Sequence, residues 1–406
     1  MRLNFLGAAG EVGRSAVMLE TDKRILLDCG VKIFGKEHFP LDTGKVDTVI
    51  VSHAHLDHSG FLPSLYKKEK PTCVGTPPTH DISTLLIADS MRLMKYPFGD
   101  GEYRRSLKAQ MPVPYETEMT IGKSSVVMHD AGHIPGAAMV EIAHREKSVL
   151  YTGDFKMEDT QMHLGAKQVK DVDALIIEST YSDREHPDRL EAEKFLYSRV
   201  AETVDRGGTA LLPAFAVGRS QEIVRVLRAF DEEIPIFMDG MGKEVTDIMM
   251  LHSQYVRDFP EFRDAMRSIE YVGGPGDRKR ALAKPAVVVT TAGMMEGGPV
   301  LDYILKLNEK SRIIFTGYSV EGTNGWRLRH TGKIKLEGRE REIRHPVDYA
   351  DLSAHAGKSE LFDFVRKSGA QKVFCIHGDK CREFAGELKK EGFDAIAPKP
   401  GESFEI

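Results

Sequence analysis

Val51-Ser52-His53-Ala54-His55-Leu56-Asp57-His58-Ser59-Gly60 packs three imidazoles and a carboxylate into six residues, directly after the apolar run Val46-Asp47-Thr48-Val49-Ile50-Val51. Such a run reads as a buried strand, and Phe61-Leu62-Pro63-Ser64-Leu65 beyond the Ser-Gly reads as the start of a helix. In extended backbone, residues two apart point the same way, so His53 and His55 can hold one ion. Asp57 and His58 fall at the turn into the helix, within reach of a second. Nitrogen and carboxylate ligands without thiolate suit a catalytic zinc with an open position better than a closed structural one. No packing requirement asks for H-x-H-x-D-H, so chance clustering in a polar loop is the weaker reading.

At 406 residues the chain can bury two domain-sized cores, and 41% hydrophobic with 29% charged residues places it among globular rather than disordered chains. No apolar run approaches the ~20 residues of a membrane helix, and Met1-Arg2-Leu3-Asn4-Phe5-Leu6 lacks the apolar core of a signal peptide. Cys29, Cys73, Cys375 and Cys381 show no C-x-x-C spacing, which points to reduced thiols. A cytoplasmic location and no membrane partner are expected. The net charge of −5 does not advertise a nucleic-acid binder, so any surface for a polyanion must be local.

There is no low-complexity segment, internal repeat or Gly/Ser-rich linker. Short strands separated by Gly-bearing turns are expected at 2–6, 16–21, 24–28 and 46–52, then at 126–129, 137–142, 149–153 and 174–178. Helical spacing marks 79–95. After about Tyr181 the rhythm changes. Strands at 209–215, 236–239, 286–291 and 312–317 alternate with helical stretches, the pattern of a doubly wound parallel sheet. Near Pro346 short elements return, ending in a strand at 372–376, a helix to Glu391 and a final strand. The expected organisation is one α/β domain in two parts, 1–181 and 347–406, with a second domain, 182–346, inserted into it. That insertion explains why metal-type residues resume at His355 and His377.

Further candidate ligands stand at strand ends, where a rigid sheet presents reactive groups. Asp130-Ala131-Gly132-His133-Ile134-Pro135-Gly136 places His133 in a Gly-rich loop. Leu150-Tyr151-Thr152-Gly153-Asp154-Phe155 ends a strand on Asp154, and Phe374-Cys375-Ile376-His377-Gly378-Asp379 ends another on His377. Each alone reads as structural; together with the opening cluster they complete a two-ion ligand set.

With these residues the chain resembles the metallo-β-lactamase superfamily, and within it the β-CASP nucleases. The resemblance implies an αββα sandwich with an inserted β-CASP domain. It also implies two Zn²⁺ per chain: His53, His55 and His133 on the first, Asp57, His58 and His377 on the second, and Asp154 bridging. Asp28, in Leu26-Leu27-Asp28-Cys29-Gly30, matches a position that braces a ligand histidine; read alone it could equally cap a turn. Two zinc ions outweigh the charge of Asp57, Asp154 and a bridging hydroxide, leaving positive charge toward an anionic substrate, and ions about 3.5–4 Å apart suit in-line displacement at phosphorus. A leaving ribose oxygen still needs a proton. His355, in Leu352-Ser353-Ala354-His355-Ala356-Gly357, is similar to the family's motif B histidine, which protonates the leaving group or contacts the scissile phosphate. Glu178, in Ile176-Ile177-Glu178-Ser179-Thr180-Tyr181, is similar to motif A; its plainer reading is a satisfied strand-end carboxylate. Beside an imidazole it would favour the protonated form.

RNA as the substrate follows from the resemblance. His377 stands at motif C, where RNA-directed members carry histidine and DNA-directed members tend to carry an apolar residue. Gly10-Glu11-Val12-Gly13-Arg14-Ser15 looks closer to the cleavage-and-polyadenylation factor endonuclease than to ribonuclease J. Without the KH-type segment of some archaeal members or the C-terminal domain of bacterial ribonuclease J, a minimal nuclease core is expected. Arg219 and Ser220, in the strand-to-helix turn Pro213-Ala214-Phe215-Ala216-Val217-Gly218-Arg219-Ser220, are candidate phosphate contacts, and Arg219 could instead pair with Glu222. Ser319, in the similar loop Thr316-Gly317-Tyr318-Ser319-Val320-Glu321-Gly322-Thr323, and Ser353, in the segment that carries His355, are further candidate contacts. Residues 327–344 hold seven Lys/Arg and three Asp/Glu, a local +4, with Arg327, Arg329 and His330 as candidate backbone contacts; a solvated hairpin turning at Glu337-Gly338 is the alternative beyond Lys335. The expectation is a zinc-dependent ribonuclease acting on single-stranded RNA, endonucleolytic or 5′→3′ exonucleolytic, with Asp57, Glu178 and His355 in the catalytic set. A homodimer or an RNA-processing complex is compatible with it. The competing readings are a non-catalytic RNA-binding scaffold and another hydrolase of the same fold, such as a thioesterase or lactamase.

Overall fold

The computed structural model of the chain describes residues 1–35 and 38–406. They form two compact units, one comprising Met1–Asp159, Leu164–Glu185 and Ala354–Ile406, the other Thr160–His163 and His186–Ser353. Val347–Tyr349, just beyond the boundary expected at residue 346, is an edge strand of the second unit's sheet.

The first unit holds two seven-stranded sheets. One runs Ser403–Glu405, Arg2–Phe5, Val17–Glu20, Arg24–Leu27, Thr48–Ile50, Thr72–Gly75 and Gln110–Pro112 from edge to edge. The other runs Asp394–Ile396, Lys372–Ile376, Ala174–Glu178, Lys147–Tyr151, Ala138–His144, Ser124–Asp130 and Met119–Ile121. Side chains alternate across each strand. Leu3, Phe5, Val17, Leu19, Ile25 and Leu27 turn inward to meet Val126, Met128, Val140, Ile142, Ile176 and Phe374 between the sheets. Met18, Leu26 and Val49 turn outward onto Leu62, Leu65, Tyr66 and Ile87 of a helical layer. On the far side the helices Lys358–Ser368 and Cys381–Lys390 cover the second sheet, with Phe155 against Phe364 at 4.8 Å and Phe362 against Phe384 at 5.1 Å. Both faces of both sheets are buried, which is why the strands read as almost continuous apolar runs. This is an αββα sandwich.

Strand direction gathers the polar residues. Lys147–Tyr151, Ala174–Glu178 and Lys372–Ile376 are mutually parallel, and Ser124–Asp130 joins them through two antiparallel pairings. Arg24–Leu27 and Thr48–Ile50 are parallel in the facing sheet. Their C-terminal ends carry His133, Asp154, Glu178, His377, Asp28 and His53. The strand expected over 46–52 shortens to Thr48–Ile50, because the Ser52 amide leaves the ladder to donate to Asp28 Oδ1 at 2.6 Å. The helix also starts earlier than Phe61, spanning Leu56–Ser59, with a 3₁₀ turn at Leu62–Tyr66. His53 and His55 therefore sit in a loop, and Asp57 and His58 within the helical turn.

The second unit is built on a six-stranded sheet, all parallel, ordered Glu270–Tyr271, Ile236–Asp239, Ala286–Thr290, Thr209–Pro213, Arg312–Phe315 and Val347–Tyr349. Val300, Tyr303, Ile304 and Leu328 pack on Leu211, Val288, Ile313 and Phe315 on one face, while helices Arg189–Asp205 and Arg219–Phe230 cover the other. The sheet is doubly wound. Lys333–Leu336 and Arg339–Glu342 form a hairpin whose turn residues Glu337 and Gly338 both have positive φ, 49° and 78°. Among the described residues, no helix is long and apolar enough to cross a membrane.

Candidate metal centre

Asp154 stands at the middle of the site. Its Oδ2 lies 3.4 Å from His58 Nε2, 3.6 Å from His53 Nε2 and 3.9 Å from His133 Nε2, and its Oδ1 lies 3.7 Å from His377 Nε2. On one side, His55 Nδ1 is 3.1 Å from His53 Nε2 and 3.2 Å from His133 Nε2. On the other, Asp57 Oδ2 is 3.5 Å from His377 Nε2 and 3.9 Å from His58 Nε2. Ligand atoms of His53, His55, His133 and Asp154 all lie within 4.8 Å of one another, as do those of His58, Asp154 and His377. The residues drawn from distant parts of the chain thus converge, and Asp154 belongs to both groups.

Two observations fit a pair of divalent cations. Asp154 Oδ1 is buried with no hydrogen-bond partner among the described residues, a costly state for an anionic oxygen unless a cation meets it. The nitrogens also face one another at distances that suit shared coordination. Burial, then the neighbouring imidazole of His58, holds His53 well below the usual imidazole range; burial and His355 do the same for His133. His55 is pushed down by burial to about 4. These three are neutral, the form that binds metal. Burial alone would neutralise Asp154, but the imidazoles of His377 and His58 outweigh it and keep the carboxylate ionised. Burial opposes charge on His58 as well, and there Asp154, Asp57 and Asp28 reverse the sign.

The outer nitrogens are tied down. His58 Nδ1 is 2.7 Å from Asp28 Oδ2, which also accepts hydrogen bonds from Ser52 Oγ at 2.7 Å and Tyr151 OH at 2.6 Å. Asp28 thus braces His58, with a φ of 60° that few non-glycine residues adopt. His377, at φ 52°, has its Nδ1 3.0 Å from Ser15 Oγ. His133 Nδ1 donates to the Ala354 carbonyl at 2.8 Å. Each contact turns the other ring nitrogen toward Asp154. Ser15 and Tyr151 were not among the expected site residues; a serine or tyrosine far along the chain carries no sequence mark of such a contact.

His355 faces the same centre, its ring 4.6 Å from that of His133. Its Nδ1 is 2.9 Å from Glu178 Oε2, and Glu178 Oε1 accepts the Phe155 amide at 2.8 Å. Burial disfavours the imidazolium, but Glu178, with Asp154 and Asp57 behind it, raises His355 to about 9.

The candidate RNA contacts all lie in the second unit. Arg219 is buried and paired with Glu222, which also binds Arg189. Ser220 Oγ donates to the Phe215 carbonyl at 2.7 Å. Both side chains are thus engaged inside the unit. Ser319 Oγ is buried without a hydrogen-bond partner among the described residues. Arg327 is half-exposed, with Nε donating to the Gly322 carbonyl at 3.1 Å; Arg329 lies over the Tyr349 ring at 3.9 Å; His330 is exposed and stacked on Trp326 at 4.4 Å. Ser353 donates its amide to Asp351 Oδ1 at 3.1 Å.

Comparison with known proteins adds to this geometry. Residues 9–199 match the Metallo-beta-lactamase superfamily, residues 220–328 the Beta-Casp domain, and residues 340–398 the Zn-dependent metallo-hydrolase RNA specificity domain. The chain is 37% identical over 429 residues to the probable RNase MJ4 of Methanocaldococcus jannaschii, covering 100% of both chains. It is 34% identical to RNase aCSPSF2 of Saccharolobus solfataricus, over 100% of this chain and 85% of that one. Transcription termination factor FttA of M. jannaschii is 33% identical over 96% of this chain and 69% of its own length. A crystal structure of a protein of unknown function from Enterococcus faecalis shares the fold, with a TM-score of 0.64 and 15% identity over 99% of both chains.

Proposed function

Because the chain belongs to the β-CASP branch of the metallo-β-lactamase superfamily, a family of metal-dependent ribonucleases, we propose that it hydrolyses RNA phosphodiester bonds with two zinc ions held around Asp154. His53, His55 and His133 would hold one ion and Asp57, His58 and His377 the other, with Asp154 shared between them. The observation that supports this reading is the position of Asp154, whose Oδ2 lies 3.6, 3.4 and 3.9 Å from His53, His58 and His133, and whose Oδ1 lies 3.7 Å from His377 and has no hydrogen-bond partner among the described residues. Paired divalent ions supply a water of pKa about 7 and neutralise charge on the reacting phosphate.

The chain's own groups do the rest. Asp28 and Ser15 fix the rings of His58 and His377, and the Ala354 carbonyl fixes that of His133, so the ligand nitrogens need not reorganise during the reaction. His355 binds Glu178 through Nδ1, which leaves Nε2–H for the leaving ribose oxygen. Its raised pKa keeps that proton available at neutral pH. Arg327, Arg329 and His330 would serve as contacts to the RNA backbone, whereas Arg219 and Ser220 would act by holding the turn they stand in.

The test is digestion of 5′-monophosphorylated, 5′-triphosphorylated and circular RNA with product mapping. Zinc-dependent cleavage abolished by a chelator is expected, with circles cut if the attack is internal and monophosphate dependence if it proceeds from the 5′ end. Failure to cleave any of the three overturns the proposal. His355→Ala should keep its zinc and lose about 10²–10⁴-fold in turnover.

A further inference from the structure

Lys156 is a buried cation that the mechanism above leaves unused. Its side chain is 2% exposed, and its Nζ lies 3.1 Å from Glu360 Oε2 and 3.2 Å from Glu158 Oε2. Glu360 Oε2 also accepts the amide of Gly357, at 2.9 Å, which starts the helix Lys358–Ser368 directly after His355. Lys156 itself is anchored at both ends of its peptide, its amide donating to the Ala131 carbonyl at 2.9 Å and its carbonyl accepting the Ala166 amide at 2.7 Å.

The segment from Asp154 to Lys156 consequently grips the His355 loop at three points. The Phe155 amide holds Glu178, the carboxylate bound to His355. The Phe155 carbonyl accepts the Ala356 amide at 2.7 Å. Lys156 reaches past both to the carboxylate that caps the following helix. A buried ammonium is a poor way to gain stability, since an apolar side chain of similar volume serves as well or better. Its gain here is directional, because one end of the bridge moves with the Asp154 loop and the other with the His355 loop.

We propose that Lys156 is a positioning residue that fixes His355 relative to Asp154 by holding Glu360, and so sets the distance between the proton donor and the reacting phosphate. The inference rests on the reading of His355 as that donor. A misplacement of about 1 Å at such a site costs on the order of 10²-fold in rate.

The experiment compares Lys156→Met, Glu360→Gln and His355→Ala with wild type on two RNAs. One is ordinary; the other carries sulfur in place of the leaving oxygen at a single site, so that departure needs no proton. Lys156→Met should retain its zinc content, its melting temperature to within a few degrees and its KM, while kcat on ordinary RNA falls about 10–100-fold. On the sulfur-bridged RNA the deficit should close to about twofold. Glu360→Gln keeps an acceptor for Gly357 and weakens the ion pair, so a smaller deficit with the same rescue is expected; it also carries the test if Lys156→Met fails to fold. A deficit that persists on the sulfur-bridged RNA, or that appears in KM or zinc content, overturns the proposal. If His355→Ala itself shows no sulfur rescue, the reading of His355 as proton donor falls instead, and the two failures are told apart.

Discussion

Asp154 and His355 show how burial and neighbours divide labour among ionisable groups. Burial pushes both toward neutrality, and each stays charged because of what faces it: imidazoles for Asp154, a carboxylate for His355. A proton donor must be protonated to act, so turnover should hold below the raised pKa of His355 and fall as pH rises through it. Bound cations lower that value, which places the alkaline limb below about 9. Glu178→Gln removes the carboxylate that raises it and leaves burial in charge. The alkaline limb of kcat should therefore move to lower pH, with a loss of about 10–100-fold at neutral pH; an unmoved limb would detach Glu178 from His355. At this scale the sequence was most legible where candidate ligands are close in the chain. His53, His55, Asp57 and His58 could be read from spacing, and His133, Asp154 and His377 from their places at strand ends taken together with that cluster, whereas the role proposed for His355 needed the family resemblance. The bonds of Ser15 and Tyr151 span large loops and could not be read at all.

Elements explain why the loops lie where they do. Gly30 follows the strand Arg24–Leu27 and passes so close to the helical turn Leu56–Ser59 that a Cβ there would stand 1.7 Å from the Asp57 carbonyl and 2.6 Å from the His58 amide. Gly30→Ala must push that turn aside. It should destabilise the protein by about 3 kcal/mol in urea and weaken zinc retention, because Asp57 and His58 move with the turn; native stability and full zinc content would show that the turn can yield freely. Gly153, at φ 52°, works similarly, bringing the Asp154 loop against Ser52. Strands with both faces buried were legible as apolar runs, and the hairpin over Lys333–Glu342 as its turn residues. The helix Asp100–Lys108 was missed because only Ser106 in it is buried, which leaves little apolar periodicity to read. The edge strands Gln110–Pro112 and Met119–Ile121 are too short to signal themselves.

The whole molecule joins two hydrophobic cores in one chain, and the candidate metal centre belongs entirely to the first unit. That the chain leaves this unit and returns could be inferred from the change of rhythm after Tyr181 and the reappearance of histidines at 355 and 377. The exit and return points could not, since Thr160–His163 and Val347–Tyr349 are assigned by packing and pairing rather than composition. The proposed pair of ions, held by one unit, makes a thermal prediction: chelation should lower the melting of that unit, and with two resolved transitions the other should stay in place. The central claim is that a single carboxylate serves both ions. Zinc content per chain, measured by mass spectrometry on the purified protein and on Asp154→Ala, tests it directly. Two ions in the wild type and one or none in the variant are expected, whereas two ions in Asp154→Ala, or none in the wild type after loading with zinc, would contradict the account.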